Sequence, residues 1–299
     1  VSNRHIVQLG KVTFPFAVLI PSRGRTDVLA KTLKRMPFLD SPDTIIGYEV
    51  REHEHYGALL DATGIHQVSY ANPEGSVAVA RENLRQAVVR YGKDYRYVVV
   101  TDDNARYTRE ALYNLVATAA TLPHRGQGPS ADWNVVAGMH GTAAHFDRGR
   151  LHTATTHLGF RSYQQFGMIF QCYPISLYEA YSYPPDAYGL DDRHLILWLL
   201  DRGLPADAFR VAMDAPFTKA RYMTGGQGTT HERAIKCGKG IARLAADFPL
   251  LVGAKGTFPI AWQTAVALRD GKTVSRLAGG AMRKESKLVT KKLTIRRRT

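Results

Sequence analysis

Asp102-Asp103-Asn104 closes the apolar run Tyr97-Val98-Val99-Val100-Thr101, and that order of residue types already implies a chemistry. Four large apolar or β-branched residues in succession read as a parallel strand buried on both faces, and oxygen ligands follow at its carboxyl end. Ligands of open α/β sheets collect in the crevice beyond such strand ends. Two adjacent carboxylates and an amide oxygen suit a hard divalent cation, held by few protein oxygens and completed by substrate phosphates. A solvated turn ending a core strand would carry the same residues, so other stretches must separate the two readings.

Three further stretches bear on that choice. Gly189-Leu190-Asp191-Asp192-Arg193-His194 precedes the apolar run Leu195 to Leu200 and predicts a helix opened by two carboxylates. The macrodipole favours acid at that end, and one Asp suffices as a cap; the second asks for another role. Pro21-Ser22-Arg23-Gly24-Arg25 follows an alternating strand, Phe14 to Ile20, and leads to a helix through about Lys34 with Thr26 or Asp27 as its N-cap. Loop amides, Arg23 and Arg25 beside a helix N-terminus suit phosphate. The loop lacks the Gly-Lys-Ser ending of a Walker motif and the glycines of a dinucleotide fingerprint. Asn72-Pro73-Glu74-Gly75-Ser76 is a turn, and Ser76 is placed to cap a helix, Val77 to Tyr91, that carries Arg81 in its first turns.

The elements that must position these residues alternate. Strands are predicted over Thr44 to Val50, His66 to Tyr70, Trp133 to Met139 and Phe166 to Tyr173, with helices over Arg109 to Thr121 and around Ile260 to Arg269. That order is an α/β protein. Arg51-Glu52-His53-Glu54-His55 reads as a solvated strand end rather than a metal site. His140, His145, His152 and His157 lack a short fixed spacing and suit hydrogen bonding. The segment Tyr222 to His231 holds Gly225, Gly226 and Gly228, which suggests a loop that closes over something. No internal repeat is visible. The expected organisation is one catalytic domain over 1–250 and a C-terminal extension over 251–299.

Composition sets outer bounds. With 44% apolar and 22% charged residues, the 299-residue chain is an ordinary globular protein. No apolar run approaches the roughly 18 residues of a membrane span, and the start lacks a signal-peptide pattern, so cytoplasmic residence is the default expectation. Cys172 and Cys237 form neither a zinc spacing nor a disulfide framework. The net charge of +14 is the unusual quantity. From Arg283 to Thr299, eight Lys or Arg stand against Glu285, which gives that tail half of the excess. Such a block suits a polyanion, nucleic acid before membrane.

Taken together, the stretches resemble a nucleotide-sugar glycosyltransferase of the GT-A fold, over roughly Phe16 to Ala246. Pro21-Ser22-Arg23-Gly24-Arg25 looks like the strand-loop that receives uridine. Gly75 with Ala80-Arg81-Glu82-Asn83 is similar to the family's Gly…Ala-Arg-Asn helix. Asp102-Asp103-Asn104 looks like the DxD motif, and Leu190-Asp191-Asp192 like the Glu-Asp segment that supplies the base. Asn104 replaces the third acidic position and Asp191 the Glu. Within the fold, Pro-Ser-Arg-Gly-Arg, the Gly-Gly-x-Gly-Thr loop and the high pI most resemble the TET/J-associated glycosyltransferases of phages.

The resemblance implies a GT-A, Rossmann-like, mostly parallel sheet flanked by helices, and a UDP-sugar donor, glucose foremost. It implies Mg²⁺ or Mn²⁺ at Asp102, Asp103 or Asn104, with His231 as a late ligand. Donor contacts would come from Pro21, Ser22, Arg23, Arg25, Gly75, Arg81, Asp102, Gly225 and Gly226. Asp192 would be the base, oriented by Asp191, in an inverting transfer to a hydroxymethylated pyrimidine of DNA. Tyr178, Tyr181, Tyr183 and Tyr188 are candidates for stacking on an extruded base, with a packed aromatic loop as the alternative. A polysaccharide or protein acceptor, or a non-catalytic nucleic-acid-binding α/β protein, would fit the same motifs.

Overall fold

The computed structural model describes residues 4–92, 94–124, 128, 130–140, 146–147, 150–151, 169–188, 190–204, 208–219, 239–240, 242–248, 275–276 and 291–292. A nine-stranded mixed sheet organises them. Its strands are β1 (Ile6–Leu9), β2 (Val12–Pro21), β3 (Thr44–Glu49), β4 (His66–Tyr70), β5 (Tyr97–Thr101), β6 (Ala105–Tyr107), β7 (Val135–His140), β8 (Phe170–Pro174) and β9 (Phe209–Lys219). The order is β4-β3-β2-β5-β8-β7-β9-β6, with β1 antiparallel on the first half of β2. β4, β3, β2 and β5 run parallel. β8 is antiparallel between β5 and β7, and β9 pairs parallel with β7.

Alternation along the central strands sorts their side chains onto two faces. Ala17, Leu19, Val98 and Val100 face one core, with Leu84 and Val88 of α3 (Val77–Tyr91) and Leu195 and Leu199 of the helix over Asp191–Asp201. Phe16, Val18, Ile20 and Val99 face the other, with Leu29 of α1 (Thr26–Arg35) and Leu112, Leu115 and Val116 of α4 (Arg109–Thr121). Both faces are covered, and that is why the strands read as continuous apolar runs. Gly47 in β3 lets α3 approach closely, since a Cβ there would meet Leu84 Cγ at 2.9 Å.

Several expectations are adjusted at the element level. Arg51 to His55 is not a strand end: a 3-10 turn over Val50–Glu52 leads into α2 (His53–Leu60). Tyr56 and Leu60 supply a buried face at helical spacing, and that burial outweighs the His/Glu alternation. α1 begins at Thr26, with Arg25 rather than Thr26 or Asp27 in the capping position and no side-chain cap. Two further helices are α5 (Ile175–Ala180) and α6 (Asp191–Asp201), and residues 242–247 are helical as well. No helix among the described residues is long and apolar enough to cross a membrane.

Candidate active site

Four segments meet beyond the carboxyl ends of the parallel strands. The loop after β2 is anchored where the Ser22 N–H donates to Gly47 O at 2.8 Å, at the end of β3. Asp102-Asp103-Asn104 forms a tight turn between β5 and β6, closed by the Ala105 N–H to Asp102 O at 3.1 Å. The turn before α3 is fixed by Asn72, whose Oδ1 accepts from the Ser76 N–H at 2.9 Å while its Nδ2 donates to Ser76 O at 2.8 Å. Ser76 holds the N-cap position, yet its hydroxyl donates to Pro185 O at 2.9 Å instead of capping. That bond ties the start of α3 to the segment leading into α6.

Each arginine expected at the donor site faces a carboxylate. Arg23 Nε lies 2.8 Å from Glu49, a buried residue at the end of β3 that also pairs with Arg51. Gly75 has φ +64°, and a Cβ there would overlap the Arg23 guanidinium, so this glycine answers both a left-handed backbone and a close approach. Arg25 binds Asp103 through Nε at 3.1 Å and Nη2 at 2.5 Å. Arg81 is buried between two chain segments, pairing with Asp191 and standing 3.8 Å from Asp102. Burial alone would lower the Arg81 pKa, but Asp191 and Asp102 raise it above the ordinary arginine value, so the guanidinium stays charged.

The carboxylates divide by environment. Asp103 is fully buried, and burial, partly offset by Arg25 and Ser22, pushes its pKa up to about 6. Asp102 keeps 21% of its side chain exposed. Asp191 is buried against Arg81, whereas Asp192 beside it is half-buried. Burial and the neighbouring Asp191 charge push Asp192 up to about 6, against Arg81 and Arg193. Asp192 therefore titrates nearer neutrality than an ordinary carboxylate.

Among the described residues, no three His, Cys, Asp or Glu side chains are arranged to hold a metal by themselves. Asp102 offers one partly exposed carboxylate, and that donor set fits a hard cation whose remaining ligands are water and substrate phosphate. Of the three side chains expected to hold the metal, Asp103 and Asn104 are buried and Asp102 is partly exposed. Gly225, Gly226 and His231 lie outside the described residues, as do Gly189, His145, His152 and His157.

The aromatic stretch is also reassigned. Tyr178, Tyr181 and Tyr183 are buried at 2% exposure or less, and they pack on one another and on Tyr173 and Trp198. They are core, not a stacking surface. Tyr188 differs: its φ is +38° and its hydroxyl donates to Glu74, linking the α6 approach to the Gly75 turn. Glu49, Tyr56 and Glu74 join the site without having stood out in the sequence. Glu49 carries a signal, an acidic residue ending an apolar strand; Tyr56 and Glu74 carry none.

The fold and the placement of these loops define a class: a GT-A, Rossmann-like α/β architecture with its site beyond the strand ends. Glucosyl-3-phosphoglycerate synthase from Mycobacterium tuberculosis, solved with Mg²⁺ and UDP, shares this fold at a TM-score of 0.50 and 14% identity, over 83% of this chain and 86% of that one. The same enzyme with Mn²⁺, UDP and phosphoglyceric acid gives 0.49 at 14% identity over the same shares. Staphylococcus aureus TarS 1-349 gives 0.45 at 9% identity, over 80% and 76%. No protein-family model and no curated protein matches the sequence.

Proposed function

We propose that this chain is a glycosyltransferase that moves a sugar from a UDP-sugar, glucose foremost, to the hydroxyl of a 5-hydroxymethylpyrimidine in DNA. The observation that carries the reading is the position of Arg81. One buried guanidinium stands between Asp102, at the end of β5, and Asp191, beside the raised Asp192 at the start of α6. A donor-side carboxylate and an acceptor-side base are therefore held within one side chain's span. The fold shared with an enzyme solved with UDP and Mg²⁺ supports the same donor class.

In this reading Asp102 would hold Mg²⁺ or Mn²⁺, which would supply charge neutralisation to the leaving diphosphate. Arg23, held by Glu49, and Arg25, held by Asp103, would border uridine and phosphate. Asp192 accepts the proton of the acceptor hydroxyl as that oxygen attacks the anomeric carbon. The carbon–oxygen bond to UDP breaks on the opposite face, so the centre inverts. Arg81 pairs with Asp191, and the ion pair fixes the helix start that presents Asp192.

The DNA acceptor rests on charge and on the narrower motif resemblance. A +14 chain with half its excess in one tail suits a polyanion, with steep salt dependence. Flipping the target base costs a few kcal/mol, which backbone contacts would offset. Apart from Lys291–Lys292, the tail from residue 283 lies outside the described residues. The test is transfer of radiolabelled sugar from several UDP-sugars, with Mn²⁺, onto DNA containing hydroxymethylcytosine or hydroxymethyluracil. Label in modified DNA alone supports the full proposal. UDP release without labelled DNA removes the DNA acceptor, and no UDP release removes the transferase.

A further inference from the structure

Asp103 shares a turn with Asp102 but not its surroundings. Its Oδ2 accepts from Ser22 Oγ at 2.8 Å and from Arg25 Nε at 3.1 Å, and its Oδ1 lies 2.5 Å from Arg25 Nη2. Ser22 Oγ donates to that carboxylate, so Tyr56, 2.8 Å away, donates its own hydroxyl hydrogen to Ser22. The Arg25 N–H in turn reaches Tyr56 Oη at 3.4 Å. A directed chain thus runs from the Arg25 amide through Tyr56 and Ser22 to Asp103. Tyr56 is itself immobilised, stacked on Tyr48 with centroids 4.7 Å apart and planes within 4°. Thr32 of α1 donates to the Asp103 carbonyl at 2.7 Å, which binds the same turn to the helix following the loop.

We propose that Asp103 is a positioning residue, which sets Ser22 and Arg25 for a nucleoside diphosphate before any ligand arrives and leaves the metal to Asp102. The inference rests on the nucleotide-sugar reading above and deepens it. A cation at Asp103 would have to displace a two-point guanidinium contact and a hydroxyl inside a fully buried site. Asp102 asks for no such displacement of the loop. With Nε and Nη2 of Arg25 turned to Asp103, Nη1 is the edge of the fork that remains for a phosphate or base. A fixed fork loses less freedom on binding than a mobile one, which is where preorganisation acts.

The experiment compares Asp103→Asn, Asp102→Asn and Ser22→Ala in the full chain by calorimetry with UDP, with and without Mn²⁺. Asp103→Asn is expected to weaken UDP binding about tenfold in both conditions, the size of one lost charge-assisted hydrogen bond. The factor by which Mn²⁺ tightens UDP would stay within about twofold of the parent, while Asp102→Asn abolishes it. Ser22→Ala, a milder change, should weaken UDP in the same metal-independent way. Loss of the Mn²⁺ effect in Asp103→Asn as complete as in Asp102→Asn overturns the proposal.

Amide exchange tests the same role independently of UDP. Faster exchange over residues 22–29 in Asp103→Asn but not in Asp102→Asn upholds the positioning role, and unchanged exchange overturns it. A parent chain that binds no UDP would remove the donor reading, and the exchange comparison would still decide whether Asp103 holds the loop.

Discussion

Asp192→Asn should make the protein more stable and nearly inactive. The carboxylate's ordinary pKa of 3.8 rises to about 6 in the folded chain, chiefly through burial and then through Asp191. At about 1.4 kcal/mol per tenfold change in acidity, ionised Asp192 costs the native state up to about 3 kcal/mol at neutral pH. The residue is half-buried and stands at a helix N-terminus that favours negative charge, so about 1–2 kcal/mol is the net expectation. For a chain of this size that corresponds to roughly 2–4 °C in Tm per kcal/mol.

The sign follows from proton binding. The native state holds the Asp192 proton more tightly than the unfolded chain, so the parent loses stability as pH rises from about 4 to about 6. Asn does not titrate. Its advantage should therefore be present at about pH 7.5 and nearly absent at about pH 4. Melting curves at both pH values test this without any substrate. In a transfer or UDP-release assay, loss of the base should cost roughly 10²–10⁴-fold in kcat, and the parent's kcat/KM should fall tenfold per pH unit below about 6. An Asn variant with parental activity, or one equally destabilised at both pH values, would refute the assignment.

Other expectations are more local. Gly75→Ala should lose about 1–2 kcal/mol from its left-handed backbone and displace Arg23, so donor KM should rise with kcat little changed; melting and steady-state kinetics check both. Arg81→Leu leaves two carboxylates without their shared guanidinium and should destabilise by about 3–5 kcal/mol, whereas adding Asp191→Asn should recover part of that loss in a double-mutant cycle. Truncation after Met282 removes seven net positive charges, and DNA affinity should fall with a shallower salt slope on a log–log plot. Tyr181→Ala should melt early rather than weaken DNA contacts, because Tyr181 is buried against Tyr183 and Trp198; circular dichroism separates the outcomes.

The sheet and most helices are legible because long apolar runs leave few alternatives. β4 and the helices at Val77–Tyr91 and Arg109–Thr121 agree with the sequence reading. Sequence reasoning fails where a few side chains compete. Arg51 to His55 alternates like a strand, but Tyr56 and Leu60 beyond it reward a helix, and the spacing that decides lies outside the window that misleads. The tyrosines mislead because aromatic rings serve cores and stacking surfaces equally, and burial cannot be read from type. Asp102 and Asp103 are adjacent in the sequence, yet only Asp103 is buried against the β2 loop. The partners that distinguish the two, Ser22 and Arg25, stand far away in sequence and require the β2–β5 pairing to be known.

The pairing of charges explains why the site can be dense in both signs without tearing itself apart. Glu49 answers Arg23 and Arg51, Asp103 answers Arg25, and Asp191 with Asp102 answers Arg81. Asp192 differs: burial and the Asp191 charge outweigh Arg81, Arg193 and the Arg193 N–H that donates to it. Burying a paired charge is tolerable because the partner replaces much of the lost hydration; burying one beside a like charge is not. A sequence that keeps such a carboxylate at a helix start, next to an acid already serving the arginine, retains a destabilising group where Asn would relieve it. On the proposed function, the proton that Asp192 can accept near neutrality is what offsets that cost.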